Sequence, residues 1–400
     1  MSDKRKSERS IEKKLAGGPI DMPFLMLTLL LVGLGLVMLL SASYASAYYK
    51  GLSPAHYFWR QAGFAVAGFP AMYFLSRFDY QRWRALSVGV LVAALILLVA
   101  VHIPGLGVRV NGALRWINLF GLQFQPSEIA KLGVILFFAS RLSKRQEGLR
   151  NPYKGRSLTG YTLNKLHNVG FLELLPYGIV LVAIIVLLAL QPHMSAIILI
   201  LIVGAALLFA AGISVGWFVM AGTLVGGVLL LMIFTTDYMT TRMVTWVDPW
   251  SDPRGAGYQV TQSLMAIGSG GSLGLGLGNS RQKFLYLPEE HNDFIFSIVS
   301  EELGLIGAGL ILVLFALLII RGYWIALHAR DRFGSLLVVG ITTLLAFQIF
   351  LNVGVVTGLI PPTGISLPFF SYGGTALLIQ MAEMGIILAV SRQIPAPKTE

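Results

Sequence analysis

YLPEEHNDFIFSIVSEELGLIGAGLILVLFALLII, residues 286–320, passes without a linker from a charged stretch into a long apolar run. Glu289, Glu290, His291 and Asp293 crowd into five residues, and Glu301 and Glu302 follow inside the run. From residue 294 to 320 the chain is long enough to cross a hydrocarbon core, which takes about 20 helical residues. Ionisable groups at or inside a bilayer are costly and mark sites of work. The fold and the chemistry therefore both start here.

The rest of the chain has the same character. Of 400 residues, 56% are hydrophobic and only 12% charged, with a mean hydropathy of +0.74. Soluble domains carry about 25% charged residues. Without a single cysteine, disulfides, thiolate metal sites and thiol nucleophiles are excluded. Ten apolar runs are expected near 22–42, 57–76, 85–103, 125–142, 174–191, 194–212, 215–234, 294–320, 335–356 and 372–391. The predicted fold is an all-α polytopic membrane bundle of about ten transmembrane helices, spanning 22–392, with one large extracytoplasmic loop at 235–293. The polar, basic residues 1–21 lack a cleavage site before the first run, so that run reads as a retained anchor.

Charge sets the expected orientation. With a cytoplasmic N-terminus, the segments 1–21, 77–84, 141–173, 321–333 and 392–400 hold 21 of the 30 Lys and Arg residues. This positive-inside excess places both termini, including the tail 393–400, in the cytoplasm. It also assigns the net charge of +11 to topology and anionic headgroups rather than to nucleic acid. The basic tail 1–21 and the segment 143–172 are expected to be flexible.

The 235–293 loop holds Gly268, Gly270, Gly271, Gly274, Gly276 and Gly278. The G-x-G-x-x-G spacing of a dinucleotide loop is missing, and no strand precedes it. Such glycines instead suit a loop lying on the membrane or packing closely on helices. Tyr258, Gln259, Gln262 and Ser263 predict a short interfacial helix before it.

Within the runs, Glu128 and Lys131 stand at i, i+3 and are expected to pair. Asp293, Ser297, Ser300 and Glu301 form one stripe, and Glu383 lies in the last run. Together these polar groups suggest a hydrated cavity opening outward. Ala206/Ala210 and Gly222/Gly226/Gly227 are expected close-contact faces between helices. Ser371 has no activating His–Asp pair, and His193 and His291 lack metal-ligand spacing.

A longer set of motifs resembles the SEDS family (shape, elongation, division, sporulation), the group of FtsW, RodA and SpoVE. It comprises Arg115-Trp116-Ile117, Gln125-Pro126-Ser127-Glu128-Ile129-Ala130-Lys131, Asp248-Pro249-Trp250-x-Asp252-Pro253 and Gly257-Tyr258-Gln259-x-x-Gln262-Ser263-Leu264. Gly276-Leu277-Gly278-Asn279-Ser280-x-Gln282-Lys283, Tyr286-Leu287-Pro288-Glu289, Asp293-Phe294-Ile295-Phe296 and Leu367-Pro368-Phe369-Phe370-Ser371-Tyr372-Gly373-Gly374 complete it. The loop wording looks closer to the FtsW/SpoVE branch than to RodA.

The resemblance implies a peptidoglycan glycosyltransferase of the bacterial cytoplasmic membrane, polymerising lipid II and releasing undecaprenyl pyrophosphate at the outer face. Its catalytic acid falls on Asp293. The implied partners are a class B penicillin-binding protein and other division or elongation proteins, with a divalent cation (Mg or Mn) as helper. The residues suit that chemistry. A carboxylate at a helix mouth can act as base for the acceptor hydroxyl. Arg115, Arg242, Arg281 and Lys283 are candidate outward-facing cations for the pyrophosphate, and Glu128, Lys131, Ser297 and Glu301 are further candidates for substrate binding.

Two departures stand out. His193, in Gln191-Pro192-His193, occupies a place where the family usually has Asp, and histidine titrates near neutrality. Asn292 stands where Thr is common. Two other functions remain open: a lipid II flippase, whose acids would gather near the midplane, and a non-catalytic scaffold for a transpeptidase.

Overall fold

A computed structural model describes residues 18–110, 113–119, 122–144, 171–235 and 237–394. The expectations for 1–17, 145–170 and 395–400 lie outside the described residues.

The chain is overwhelmingly helical and divides into two compact units. The first, residues 1–80 and 212–400, contains α1 (Met22–Tyr49), α2 (His56–Arg77), α7 (Val215–Thr235), α8 (Asp237–Val247), α9 (Tyr258–Gly270), α10 (Ile295–Leu327), α11 (Arg332–Val356) and α12 (Gly374–Ser391). The second, residues 81–211, contains α3 (Gln81–Ala100), β1 (Gly107–Val110), β2 (Ala113–Leu119), β3 (Leu122–Phe124), α4 (Pro126–Leu142), α5 (Phe171–Leu190) and α6 (Met194–Ala210).

Each of the ten expected apolar runs is a helix. Six of them (α1, α3, α5, α10, α11 and α12) are long and apolar enough to cross a membrane, and α6 and residues 215–227 of α7 form shorter apolar helices. The large loop is not bare, because α8 and α9 lie within it.

The all-α expectation needs one correction. A three-stranded antiparallel sheet, β1-β2-β3, joins α3 to α4. Val110 pairs with Ala113 across Asn111-Gly112, the dipeptide most typical of two-residue hairpins. This short hairpin signal stands between two strongly apolar runs.

The expected small-residue contacts also move. Nothing lies within 4 Å of a Cβ added at Gly222, Gly226 or Gly227, and the α7 face around them is exposed. Ala210 is exposed as well. The tight approach in the first unit is between α2 and α12 instead. A Cβ on Gly68 would meet the Met381 sulfur at 2.3 Å, and one on Gly385 the Met72 carbonyl at 2.6 Å. Short side chains let these helices approach backbone to backbone, which the bilayer rewards through van der Waals packing.

Caps and ion pairs close the ends opposite the charged loop. Asp21 accepts from the Phe24 amide at 3.0 Å, capping α1, and pairs with Arg321 of α10 at 2.8 Å. Asp331 caps α11 through Gly334 and accepts from the Tyr80 hydroxyl at 2.6 Å.

The 33-residue α10 is not one continuous helix. Gly304 breaks it with φ 67° and ψ −174°. The glycine-rich segment fills the break: Leu275 and Gly276 donate their amides to the Glu301 and Glu302 carbonyls, each at 3.0 Å. In return Leu305 and Ile306 donate to the Gly271 and Ser272 carbonyls at 2.9 and 3.1 Å. Backbone groups that an interrupted helix leaves unpaired are thus satisfied by the loop, as burial requires. The close packing expected of these glycines is therefore against a helix.

Candidate functional site

Asp293 lies just before α10, whose N-cap is Phe294. Three consecutive carbonyls around it are held by three donors: His291 by the Tyr372 amide at 2.9 Å, Asn292 by the Ser371 hydroxyl at 2.7 Å and Asp293 by Asn352 Nδ2 at 2.7 Å. Asn352 Nδ2 also donates to the Ile365 carbonyl at 2.6 Å. Ser371 accepts from the Leu367 amide at 2.7 Å, so its hydroxyl organises loop backbone. Gln61 of α2, fully buried, closes the same loop by donating to the Ser371 carbonyl and accepting from the Gly373 amide, both at 3.2 Å.

The carboxylate itself lies against Gly364, with Oδ2 3.1 Å from where a Cβ would stand. Gly364 has φ +68°, a conformation only glycine adopts without strain. Arg242 of α8 donates to the Pro362 carbonyl, and Trp246 to the Gly358 carbonyl at 3.1 Å. The loop 357–373 therefore gathers Asp293 and Arg242 about one short stretch of chain.

A second group borders this segment. His291 is buried, sits 3.2 Å from Glu290 Oε1 and packs on the Tyr57 ring with centroids 4.6 Å apart. Tyr57 in turn meets Tyr372 edge-on at 4.9 Å and shares a 3.0 Å hydrogen bond with Lys50. The Tyr57 hydroxyl, helped by the Glu290 and Glu289 charges, holds the Lys50 ammonium above the usual lysine value against partial burial. Glu289 has φ 56° and accepts from Asn292 Nδ2, a left-handed residue in the candidate site.

Three members of the polar stripe, Ser297, Ser300 and Glu301, are buried and hydrogen-bonded. The Ser297 hydroxyl lies 2.7 Å from that of Ser263, which reaches the Val356 carbonyl at 2.6 Å. Ser300 donates to the Phe296 carbonyl at 2.9 Å. Glu301 is fully buried and accepts from the Ser280 hydroxyl and from the Arg281 and Gln282 amides, the amides at 2.9 and 3.3 Å. Lys283 is buried, 2.8 Å from Glu302, which also accepts from Ser41 at 2.7 Å. Apolar surroundings demand partners for both carboxylates, so Glu301 and Glu302 bind the glycine-rich loop to α10. Arg281 keeps an exposed side chain. Glu383 is buried on α12.

In the second unit Glu128 and Lys131 pair at 2.8 Å, as their spacing predicts. Arg115, on β2, donates to the Gln191 carbonyl at 3.2 Å and to the Pro192 carbonyl, pinning the turn between α5 and α6. His193, in that turn, has Nε2 2.9 Å from Gln125 Nε2. Burial, reinforced by the Arg115 and Lys131 charges, lowers its pKa to about 3. This moves its titration well below neutrality, because burial and two nearby cations all disfavour the imidazolium.

The family profile described as "Cell cycle protein", that of FtsW, RodA and SpoVE, matches residues 22–395. The chain belongs to the FtsW/RodA/SpoVE family. Among FtsW/RodA/SpoVE proteins it is 41% identical over 372 residues to "Stage V sporulation protein E" of Bacillus subtilis (strain 168), covering 93% of this chain and 97% of that one. It is 38% identical over 374 residues to "Probable peptidoglycan glycosyltransferase FtsW" of Geobacter sulfurreducens, covering 94% and 95%. A solved structure described as "Structural coordination of polymerization and crosslinking by a peptidoglycan synthase complex" matches with a TM-score of 0.73 at 28% identity, covering 94% of this chain and 98% of that one. Rod shape determining protein RodA of Thermus thermophilus matches with a TM-score of 0.63 at 26% identity, covering 95% and 99%. The protein is thus a multi-pass bacterial membrane protein of a peptidoglycan glycosyltransferase family.

Asn352, Gly364, Gln61, Tyr57 and Lys50 escaped the sequence reading. Asn352 had a usable signal, an amide inside an apolar run. Gly364 and Gln61 had none, because their importance comes from what the fold sets beside them.

Proposed function

We propose that this protein polymerises lipid II into glycan strands at the outer face of the cytoplasmic membrane, releasing undecaprenyl pyrophosphate, with Asp293 as general base. The observation that carries the reading is the state of the acids in 289–302. Glu290, Glu301 and Glu302 are buried, whereas Asp293, like Glu289, is partly exposed, and the Asp293 backbone is clamped by Asn352. A base must be both reachable and fixed to take the proton of an acceptor hydroxyl as it attacks the anomeric carbon. The developing charge on the departing pyrophosphate calls for cations, and Arg242, beside the same loop, is the first choice. Arg281 has an exposed side chain suited to the same task, while Arg115, Glu128 and Lys131 are a separate set of candidates within the second unit. Lys283, Ser297 and Glu301 are assigned to holding the loop and helix rather than to substrate.

In this reading α1–α7 and α10–α12 all cross the membrane, both termini are cytoplasmic, and the loop carrying α8 and α9 faces outward. A class B penicillin-binding protein crosslinks the product, in division, elongation or spore wall synthesis. Among the described residues no group of three or more His, Asp or Glu side chains converges on a metal. A Mg or Mn ion would then be shared with the substrate's phosphate oxygens, an arrangement that needs only one or two protein carboxylates.

The test is glycan-strand formation from purified lipid II by the full chain with its transpeptidase, comparing wild type with Asp293→Ala. Polymer that disappears in a well-folded variant supports the reading. Folded wild-type protein that makes no polymer with its partner and a divalent cation overturns it and favours the flippase or the scaffold.

A further inference from the structure

We infer that Asn352 is a positioning residue for the reaction, holding the Asp293 carboxylate in place through the backbone on both sides of it. This rests on the assignment of Asp293 as base. Asn352 stands near the C-terminal end of α11, 1% exposed. Both groups facing its Nδ2, the Asp293 and Ile365 carbonyls at 2.7 and 2.6 Å, can only accept. The amide orientation is therefore determined by chemistry, and both of its hydrogens are used.

The two carbonyls are not equivalent in origin. One belongs to the residue bearing the carboxylate. The other follows Gly364, the residue against which Asp293 Oδ2 rests. One side chain therefore fixes the carboxylate's own backbone and the surface behind it as a single piece. Among the described residues Asn352 Oδ1 has no hydrogen-bond partner, and it is buried. An unpaired buried acceptor is unfavourable, and the two donated bonds offset it by satisfying two carbonyls. Melting temperature and turnover together therefore separate a structural role from positioning. Fixing Asp293 matters to turnover, since a displacement of about 1 Å at a reacting group costs on the order of 100-fold in rate.

The experiment uses the full chain with its class B penicillin-binding protein and lipid II, and reads kcat, KM and melting temperature. Asn352→Leu removes both donors while keeping the branching at Cγ, Asn352→Gln keeps an amide one methylene further out, and Asp293→Asn reports on the base. The expected result is a kcat lowered about 100-fold in N352L with KM within about two-fold. N352Q should recover part of that loss, and melting temperature should not follow kcat across the set. Wild-type kcat in N352L, or losses that simply track melting temperature in both variants, would overturn the inference. If N352L does not fold, Asn352→Ala is read by the same criteria. An inactive D293N beside a fully active N352L rejects the positioning role alone. A D293N as fast as wild type rejects the base assignment and this inference with it.

Discussion

Gly304 and Gly274 meet backbone to backbone inside the break in α10. A Cβ on Gly304 would lie 2.2 Å from the Gly274 nitrogen, and one on Gly274 would lie 2.2 Å from the Glu302 carbonyl oxygen. Both residues also have positive φ, 67° and 81°. The loop can satisfy the interrupted helix only because neither partner carries a side chain.

Alanine at either position is thus expected to cost about 2–5 kcal/mol, combining left-handed strain with overpacking. Gly278→Ala is the control, because its φ is +84° but nothing lies within 4 Å of its Cβ. It should cost only the strain, about 1–3 kcal/mol. Thermal melting in detergent checks the ranking, and equal losses at all three sites would refute the plugged-break description.

Lys283 and Glu302 form a buried ion pair at 2.8 Å. Lys283→Met should destabilise by about 3–5 kcal/mol because it strands a buried carboxylate. Adding Glu302→Gln should recover much of that loss. A double-mutant cycle on melting free energies measures the coupling, and strictly additive effects would show that the two side chains do not depend on each other.

His193 predicts a pH effect of defined sign. Its folded pKa of about 3 lies below the ordinary 6.5, so between those values the unfolded chain binds the extra proton. Its contribution to stability is complete above about pH 6.5 and is lost as pH falls toward 3. From pH 6.5 to 5 the loss is on the order of 2 kcal/mol. His193→Gln should flatten that part of the melting-temperature profile. An unchanged slope would place the titrating group elsewhere.

Arg242 tests the electrostatic half of the proposed chemistry. Arg242→Gln should lower kcat for glycan polymerisation by about 100-fold, the scale of one lost donor at a developing charge. Melting temperature should change little, since Trp246 still ties α8 to Gly358. Wild-type turnover in this variant would remove Arg242 from the mechanism.

Much of this was legible from local pattern. Hydropathy located every long apolar helix, because a helix crossing lipid must satisfy its own backbone and show an apolar surface over about 20 residues. The 286–302 stretch stood out because charges beside an apolar run are rare. The spacing of Glu128 and Lys131 foretold their pairing, since residues three apart share a helix face. Similar local logic failed for Lys283, where a cation in a polar loop looked exposed but found a buried carboxylate nineteen residues away along the chain.

By itself, then, the sequence determined the class of protein, the positions of its apolar helices and the stretch containing Asp293. Those properties depend on neighbours along the chain. Only the tertiary structure decided which acids are buried and which are partly exposed, what fills the break at Gly304, and that burial lowers the His193 pKa. It also brought Asn352, Gly364 and Ser371 to Asp293 from 59, 71 and 78 residues away. Burial and hydrogen bonding depend on neighbours in space, and for these residues the neighbours come from distant parts of the chain.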